Sequence, residues 1–194
     1  MAIEGTDAHG ATPLEREDIE QLIPDHIGTR AELDEWEAQN IMQAMSALRR
    51  PKEILSDVFL RDLHRKMFNN TWTWAGEYRL RETNLGVPPF QIPTAVRNLC
   101  DDVRVWRDQE VFPPDELAIR FHHRLVSVHP FRNGNGRHSR LAADLLIQSL
   151  GSKRFPWGRS NLVEPTETRQ QYLNALRQAD KGEIQPLIEF ARSN

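Results

Sequence analysis

His129-Pro-Phe-Arg-Asn-Gly-Asn-Gly-Arg-His-Ser-Arg140 lies between two helical patterns. Before it, Leu117, Phe121, Leu125 and Val128 recur at helical spacing from Asp115 onward. After it, Leu141, Leu145, Leu146, Ile147 and Leu150 continue to the stop at Gly151. That second run is apolar on more than one side, so it is expected to be central and buried. The stretch is therefore read as a glycine-rich turn joining two core helices. Glycines permit positive φ and close approach of a ligand to the backbone. The first turn of the restarting helix offers unpaired N–H groups and a positive dipole end. Gly134-Asn135-Gly136 is thus a candidate anion cradle. Arg137 and Arg140, three apart, share one face of that turn and can fork onto two phosphate groups. His129 ends the preceding helix and can act as a base near neutral pH. Taken singly, each of these residues is commonly structural. In one order they make a polyphosphate site with a base beside it.

Outward from this stretch the chain reads as mainly helical. Thr29 and Glu32 form a capping box for a helix to about Arg50, with Leu33, Trp36, Ile41, Ala44, Met45 and Leu48 as its apolar face. Pro51 ends it, and Ser56 opens a helix carrying Phe59, Leu60, Leu63 and Met67. Between Thr71 and Pro93 turn formers dominate, and short strands around a Gly-Pro turn are expected over Arg81–Ile92. Thr94 is read as the cap of a helix to about Trp106, with Val96, Leu99 and Val103 inward. A final helix pair, about 167–180 and 184–192, is divided by Gly182. The expected organisation is an irregular arm over 1–28 and one domain over 29–194.

The 194 residues include one cysteine, Cys100, so no internal disulfide can form, which fits a reducing compartment. Cys100 is read as a core residue. A net charge of −3 makes no electrostatic case for nucleic-acid binding. No apolar run approaches the ~20 residues of a membrane helix, and the N-terminus shows no signal-peptide pattern. A cytoplasmic location is expected.

His129-Pro-Phe-x-x-Gly-Asn-Gly-Arg-x-x-Arg140 resembles the signature of the Fic (Fic/DOC) family, and Trp74-Ala-Gly-Glu-Tyr-Arg79 resembles the segment leading into that family's hairpin flap. The N-terminal pattern resembles the subgroup named mobile mystery protein B. The resemblance implies a helical bundle with a small β-hairpin flap before the motif helix pair. It also implies transfer of AMP from ATP to a Ser, Thr or Tyr hydroxyl of a target protein. His129 would be the base, Gly134, Asn135 and Gly136 the phosphate cradle, and Arg137 and Arg140 the grip on the outer phosphates. The target would dock on the flap, about residues 81–93.

The family usually has Asp or Glu before Gly-Asn-Gly to hold Mg²⁺; this chain has Asn133, whose amide oxygen can ligate but carries no charge. The family's inhibitory pattern, Ser/Thr-x-x-x-Glu-Gly/Asn, is begun by Thr73…Glu77 and Ser160…Glu164 but completed by neither, since Tyr78 and Pro165 follow. No inhibitor of that form is expected, and inhibition would fall to a separate chain or a homo-oligomer. Two other functions compete. One is a Fic-fold module that binds nucleotide with little or no transfer, or transfers a different phosphate-containing group. The other is a metal hydrolase built on His122, His123, His129 and His138. Adjacent His122 and His123 point about 100° apart on a helix, which counts against the latter.

Overall fold

The computed structural model describes residues 16–48, 51, 53–159 and 167–194. Most of the arm, Arg50, and the Ser160…Glu164-Pro165 segment lie outside the described residues. Eight α-helices are described: α1 (Arg16–Ile19), α2 (Arg30–Ala47), α3 (Asp57–Phe68), α4 (Ile92–Asp108), α5 (Pro114–Val128), α6 (Asn135–Ser149), α7 (Glu167–Asp180) and α8 (Gln185–Arg192).

The caps expected at Thr29 and Ser56 form. Thr29 Oγ1 accepts from Glu32 N, while Glu32 Oε2 accepts from the backbone N–H groups of Gly28 and Thr29, each at 2.9 Å. Ser56 Oγ accepts from Phe59 N at 3.2 Å. Such a cap contributes about 1 kcal/mol. α4 begins earlier than Thr94 would place it. Its first turn contains Pro93, whose missing N–H costs nothing where no intrahelical acceptor exists.

α6 is the axis of the bundle. Leu141, Ala142, Ala143, Leu146 and Ile147 are buried around more than one face. α5 lies along it, α3 crosses it, α2 covers α3, α4 supports α5, and the α7–α8 pair closes the other side against α5. Cys100 is buried in α4, and burial pushes its thiol up to about 12, so it is an inert core group. The inward stripe of α2 is Leu33, Glu37, Asn40 and Ala44, half of it polar. Trp36, Ile41, Met45 and Leu48 flank that stripe, partly buried.

The β-hairpin expected over Arg81–Ile92 does not exist. The described residues contain no β-strand, only one isolated antiparallel bridge, Leu22 with Trp72. Residues 81–88 run as bends and coil into a 3₁₀ turn, Pro89–Gln91. The reason is the buried Arg79. Its guanidinium donates to the carbonyls of Arg81 (3.0 Å) and Val87, the oxygens a ladder would have used. Pro88 and Pro89 remove two donors more. The segment is anchored to the glycine-rich turn instead, through Arg79 N to Pro130 O (2.9 Å) and Val87 N to Val128 O (3.3 Å).

No described helix is long and apolar enough to cross a membrane.

Candidate active site

α5 stops one residue before His129, which takes a left-handed conformation (φ 52°, ψ 59°). A non-glycine residue rarely sits there, and it does so where its surroundings impose it. Here Arg79 Nε donates to the His129 carbonyl at 2.7 Å. Gly86, at φ +103°, lies so close that a Cβ would come within 2.6 Å of both His129 Cβ and an Arg79 nitrogen. The imidazole is 6% exposed. Burial first, then the Arg79 cation, lower its pKa to about 4, so the ring is neutral at pH 7. The Val126 carbonyl accepts from the ring, which fixes one N–H and leaves the other nitrogen's lone pair to take a proton.

The turn after His129 is held from inside. Phe131 is fully buried and stacks on His64 with ring centroids 3.8 Å apart. His64 Nδ1 accepts from Gly76 N–H at 3.0 Å, so its Nε2–H donates to the Asn133 carbonyl at 3.1 Å. Asn135 closes the turn with both ends of its amide, Oδ1 from Phe131 N (2.9 Å) and Nδ2 to Phe131 O (2.8 Å). Its side chain is a clamp, which leaves only its backbone N–H for a ligand.

Gly134 takes φ +77°, and a Cβ there would meet the Phe68 ring at 2.5 Å. The Gly134 N–H is bonded by Asn133 Oδ1 at 2.5 Å, while α6 begins with no side-chain cap. The N–H groups of Asn135, Gly136 and Arg137 therefore form the open first turn. A Cβ on Gly136 would meet nothing nearer than an Arg140 nitrogen at 3.6 Å, so space is kept between that residue and the guanidinium.

Arg137 Nη1 lies 2.7 Å from Glu37 Oε2, with the guanidinium over the Phe68 ring. Glu37 is fully buried on α2, and its other oxygen accepts from Trp72 Nε1 at 2.6 Å. An internal carboxylate thus reaches the motif, on Arg137 and not on Arg140. Position 33, four residues before Glu37, is leucine, so the Ser/Thr-x-x-x-Glu pattern gave no sign of it. Arg140 instead lies over the Tyr172 ring at 5.3 Å.

Asn133 is 8% exposed, with Oδ1 engaged as above. Among the described residues no group of three or more His, Cys, Asp or Glu is placed to hold a metal ion. The residues present do not make a metal site by themselves. The four histidines of the hydrolase reading diverge: His122 Nε2 meets the Tyr172 hydroxyl (3.2 Å), His123 Nε2 meets Asp180 (2.8 Å), and His138 Nε2 donates to the Leu60 carbonyl (2.9 Å).

The structure therefore places His129, Asn133, the Gly134–Gly136 turn, Arg137 and Arg140 together on the α5–α6 turn and the start of α6. It adds Arg79, His64 and Glu37, which no local spacing announced. A helical domain with an open, glycine-rich turn between its two central helices is the class these features define. The chain belongs to the Fic/DOC family, which its residues 54–147 match. The chain is similar to the protein adenylyltransferase fic-1 of Caenorhabditis elegans, 31% identical over 133 residues, or 66% of this chain and 25% of that protein. It spans about a quarter of that relative's length. Among solved structures, the Bartonella tribocorum BepC protein with bound AMPPNP superposes with a TM-score of 0.69 at 18% identity, over 96% of this chain and 93% of that one. The N-terminal Fic domain of a Bartonella quintana effector with bound ADP gives 0.67 at 20%, over 87% and 86%. These structural likenesses extend the Fic fold across nearly the whole chain.

Proposed function

We propose that this chain transfers AMP from ATP to a Ser, Thr or Tyr hydroxyl of a target protein. The observation that carries the reading is His129, neutral and pinned in a left-handed turn at the mouth of the Gly134–Arg140 cradle. In this reading His129 takes the hydroxyl proton, and the oxygen attacks the α-phosphorus. The bond from that phosphorus to the bridging oxygen breaks, and pyrophosphate leaves. The backbone N–H groups of Asn135 and Gly136, with Gly134 shaping the turn, hold phosphate oxygens; Arg137 and Arg140 take the outer charge. Positioning and fixed charge supply the rate.

Mg²⁺ enters this reading with the nucleotide, held by phosphates and water, with Asn133 as its one protein neighbour. The domain is taken as residues 29–194 with an arm over 1–28, as in the mobile mystery protein B subgroup, working in the cytoplasm. Targets dock on the ledge at 81–93, where Phe90 and Leu85 stand exposed beside Leu80. A separate inhibitory chain or a homo-oligomer would restrain the activity from outside.

A second reading, a nucleotide-binding module with weak transfer, is favoured by Glu37 on Arg137 and by the uncharged Asn133. Labelled ATP added to cell lysate with wild type or His129→Ala tests both. Label in target bands with wild type, reduced at least ~100-fold by the alanine variant, supports transfer. Equal labelling by both proteins removes the base; calorimetric ATP binding without labelling leaves the module.

A further inference from the structure

We propose that Arg169 of α7 is a third arginine of the anion site, gripping the distal phosphate of a bound polyphosphate together with Arg140. The inference rests on reading the Gly134–Arg140 turn as a nucleotide site.

The geometry starts at Arg140. Its guanidinium covers the ring of Tyr172, which is buried on α7. Arg169 stands three residues before Tyr172, on the same face and in the first turn of α7. Helical side chains lean toward the N-terminus, so Tyr172 leans over the turn that carries Arg169, and Arg140, seated on that ring, acts on Arg169 as a like charge. On α2, Arg30, Asp34 and Glu37 share one side of the helix at i, i+4 and i+7. Arg30 Nε meets Asp34 Oδ1 at 3.3 Å, with side chains 16% and 25% exposed, and Glu37 holds Arg137. The Asp34 carboxyl lies in the fields of Arg30, Arg137 and Arg169 together, which joins the three helices around one space. Arg169 itself is lowered from the usual arginine value, by burial first and then by Arg140, with Arg137 adding to it.

Arg140 and Arg169 are like charges that lie within one another's field on partly buried ground, an arrangement that an anion relieves. The position fixes which anion. His129 and the first turn of α6 mark the end where the hydroxyl attacks. Arg140 lies a turn further along α6, and Arg169 beyond it on the next helix. A monophosphate held at the turn stays short of Arg169, whereas a triphosphate chain extends to it. Forked guanidinium–phosphate bonds suit that end.

The test is calorimetric titration of AMP, ADP and ATP into wild type, Arg169→Ala, Arg169→Lys and, as a control on the solvent side of α7, Arg177→Ala. Thermal melts establish that each variant is folded. Arg169→Ala is expected to weaken ATP roughly tenfold while AMP stays within about twofold, with Lys recovering part of the loss and Arg177→Ala matching wild type. Unchanged ATP affinity in a folded Arg169→Ala protein overturns the proposal, as does an equal loss for AMP and ATP, since neither singles out the distal end. Wild type that binds none of the three overturns the nucleotide reading itself, and this inference with it.

Discussion

Asn133 commits its amide oxygen to the Gly134 N–H, and its Nδ2 is buried with no hydrogen-bond partner among the described residues. An aspartate would keep the Gly134 bond with one carboxylate oxygen, while the other would replace the orphaned donor with a buried charge that only a cation would compensate. Asn133→Asp is therefore expected to stay folded but, without Mg²⁺, to be about 1–3 kcal/mol less stable than wild type in denaturant melts. The added charge faces the cradle, so Mg²⁺-dependent transfer should rise severalfold, with half-saturation at lower Mg²⁺. A variant with unaltered metal dependence would show that position 133 does not meet the metal. At this scale consecutive residues are the ones a sequence can group, since His129 to Arg140 lie on one turn and the start of α6. Arg79, His64 and Glu37 act on the same turn from 50 or more positions away, as the Arg79–His129 and His64–Asn133 separations show. Nothing local marks such partners.

Among the elements, α2 does more than cover α3. It places a full carboxylate on one of the two motif arginines, so a phosphate reaching Arg137 must displace Glu37 or share the guanidinium with it. Glu37→Gln keeps an oxygen for Trp72 Nε1 and removes the charge. ATP should then bind more tightly, by about three- to tenfold, because a competing charge-assisted contact is gone. Stability should fall by about 1–3 kcal/mol, because the largely buried Arg137 loses its partner. Tighter binding with a lower melting temperature is the signature; unchanged ATP affinity would mean that the pair does not compete with ligand. The helices themselves were legible from caps and apolar spacing. The stripe of α2 was not, because Trp36, Ile41, Met45 and Leu48 masked the polar one beside it. The hairpin reading failed for a related reason. Gly86, Pro88 and Pro89 look like a turn between strands, and no pattern warns that one arginine side chain will take the carbonyls a partner strand would have met.

For the molecule as a whole, buried histidines set the response to acid. Burial lowers His122 to about 3 and His138 to about 4, and burial with the Arg79 cation lowers His129 to about 4; His64 is lowered as well, by burial and then by His138. Unfolded, these rings take protons near pH 6.5. Between that value and about 4 the unfolded chain binds protons that the folded chain refuses, so stability rises with pH through this window and is lost as pH falls. For His122, His129 and His138 the loss is about 2 kcal/mol each by pH 5. Chemical denaturation at pH 7.5 and pH 5 should show a fall of several kcal/mol. A flat profile would mean that the buried rings titrate normally.

The closeness of Gly86 to its neighbours has a consequence for descent. The backbone there fits between the His129 Cβ and the Arg79 guanidinium with no room for a methyl group. Three positions far apart in the chain are thus inherited as one character. A lineage that gains a side chain at 86 must have moved both the arginine and the histidine, since losing the arginine alone leaves the His129 Cβ and the positive φ in the way. Covariation among 79, 86 and 129 should therefore be stronger than their separation along the gene would lead one to expect.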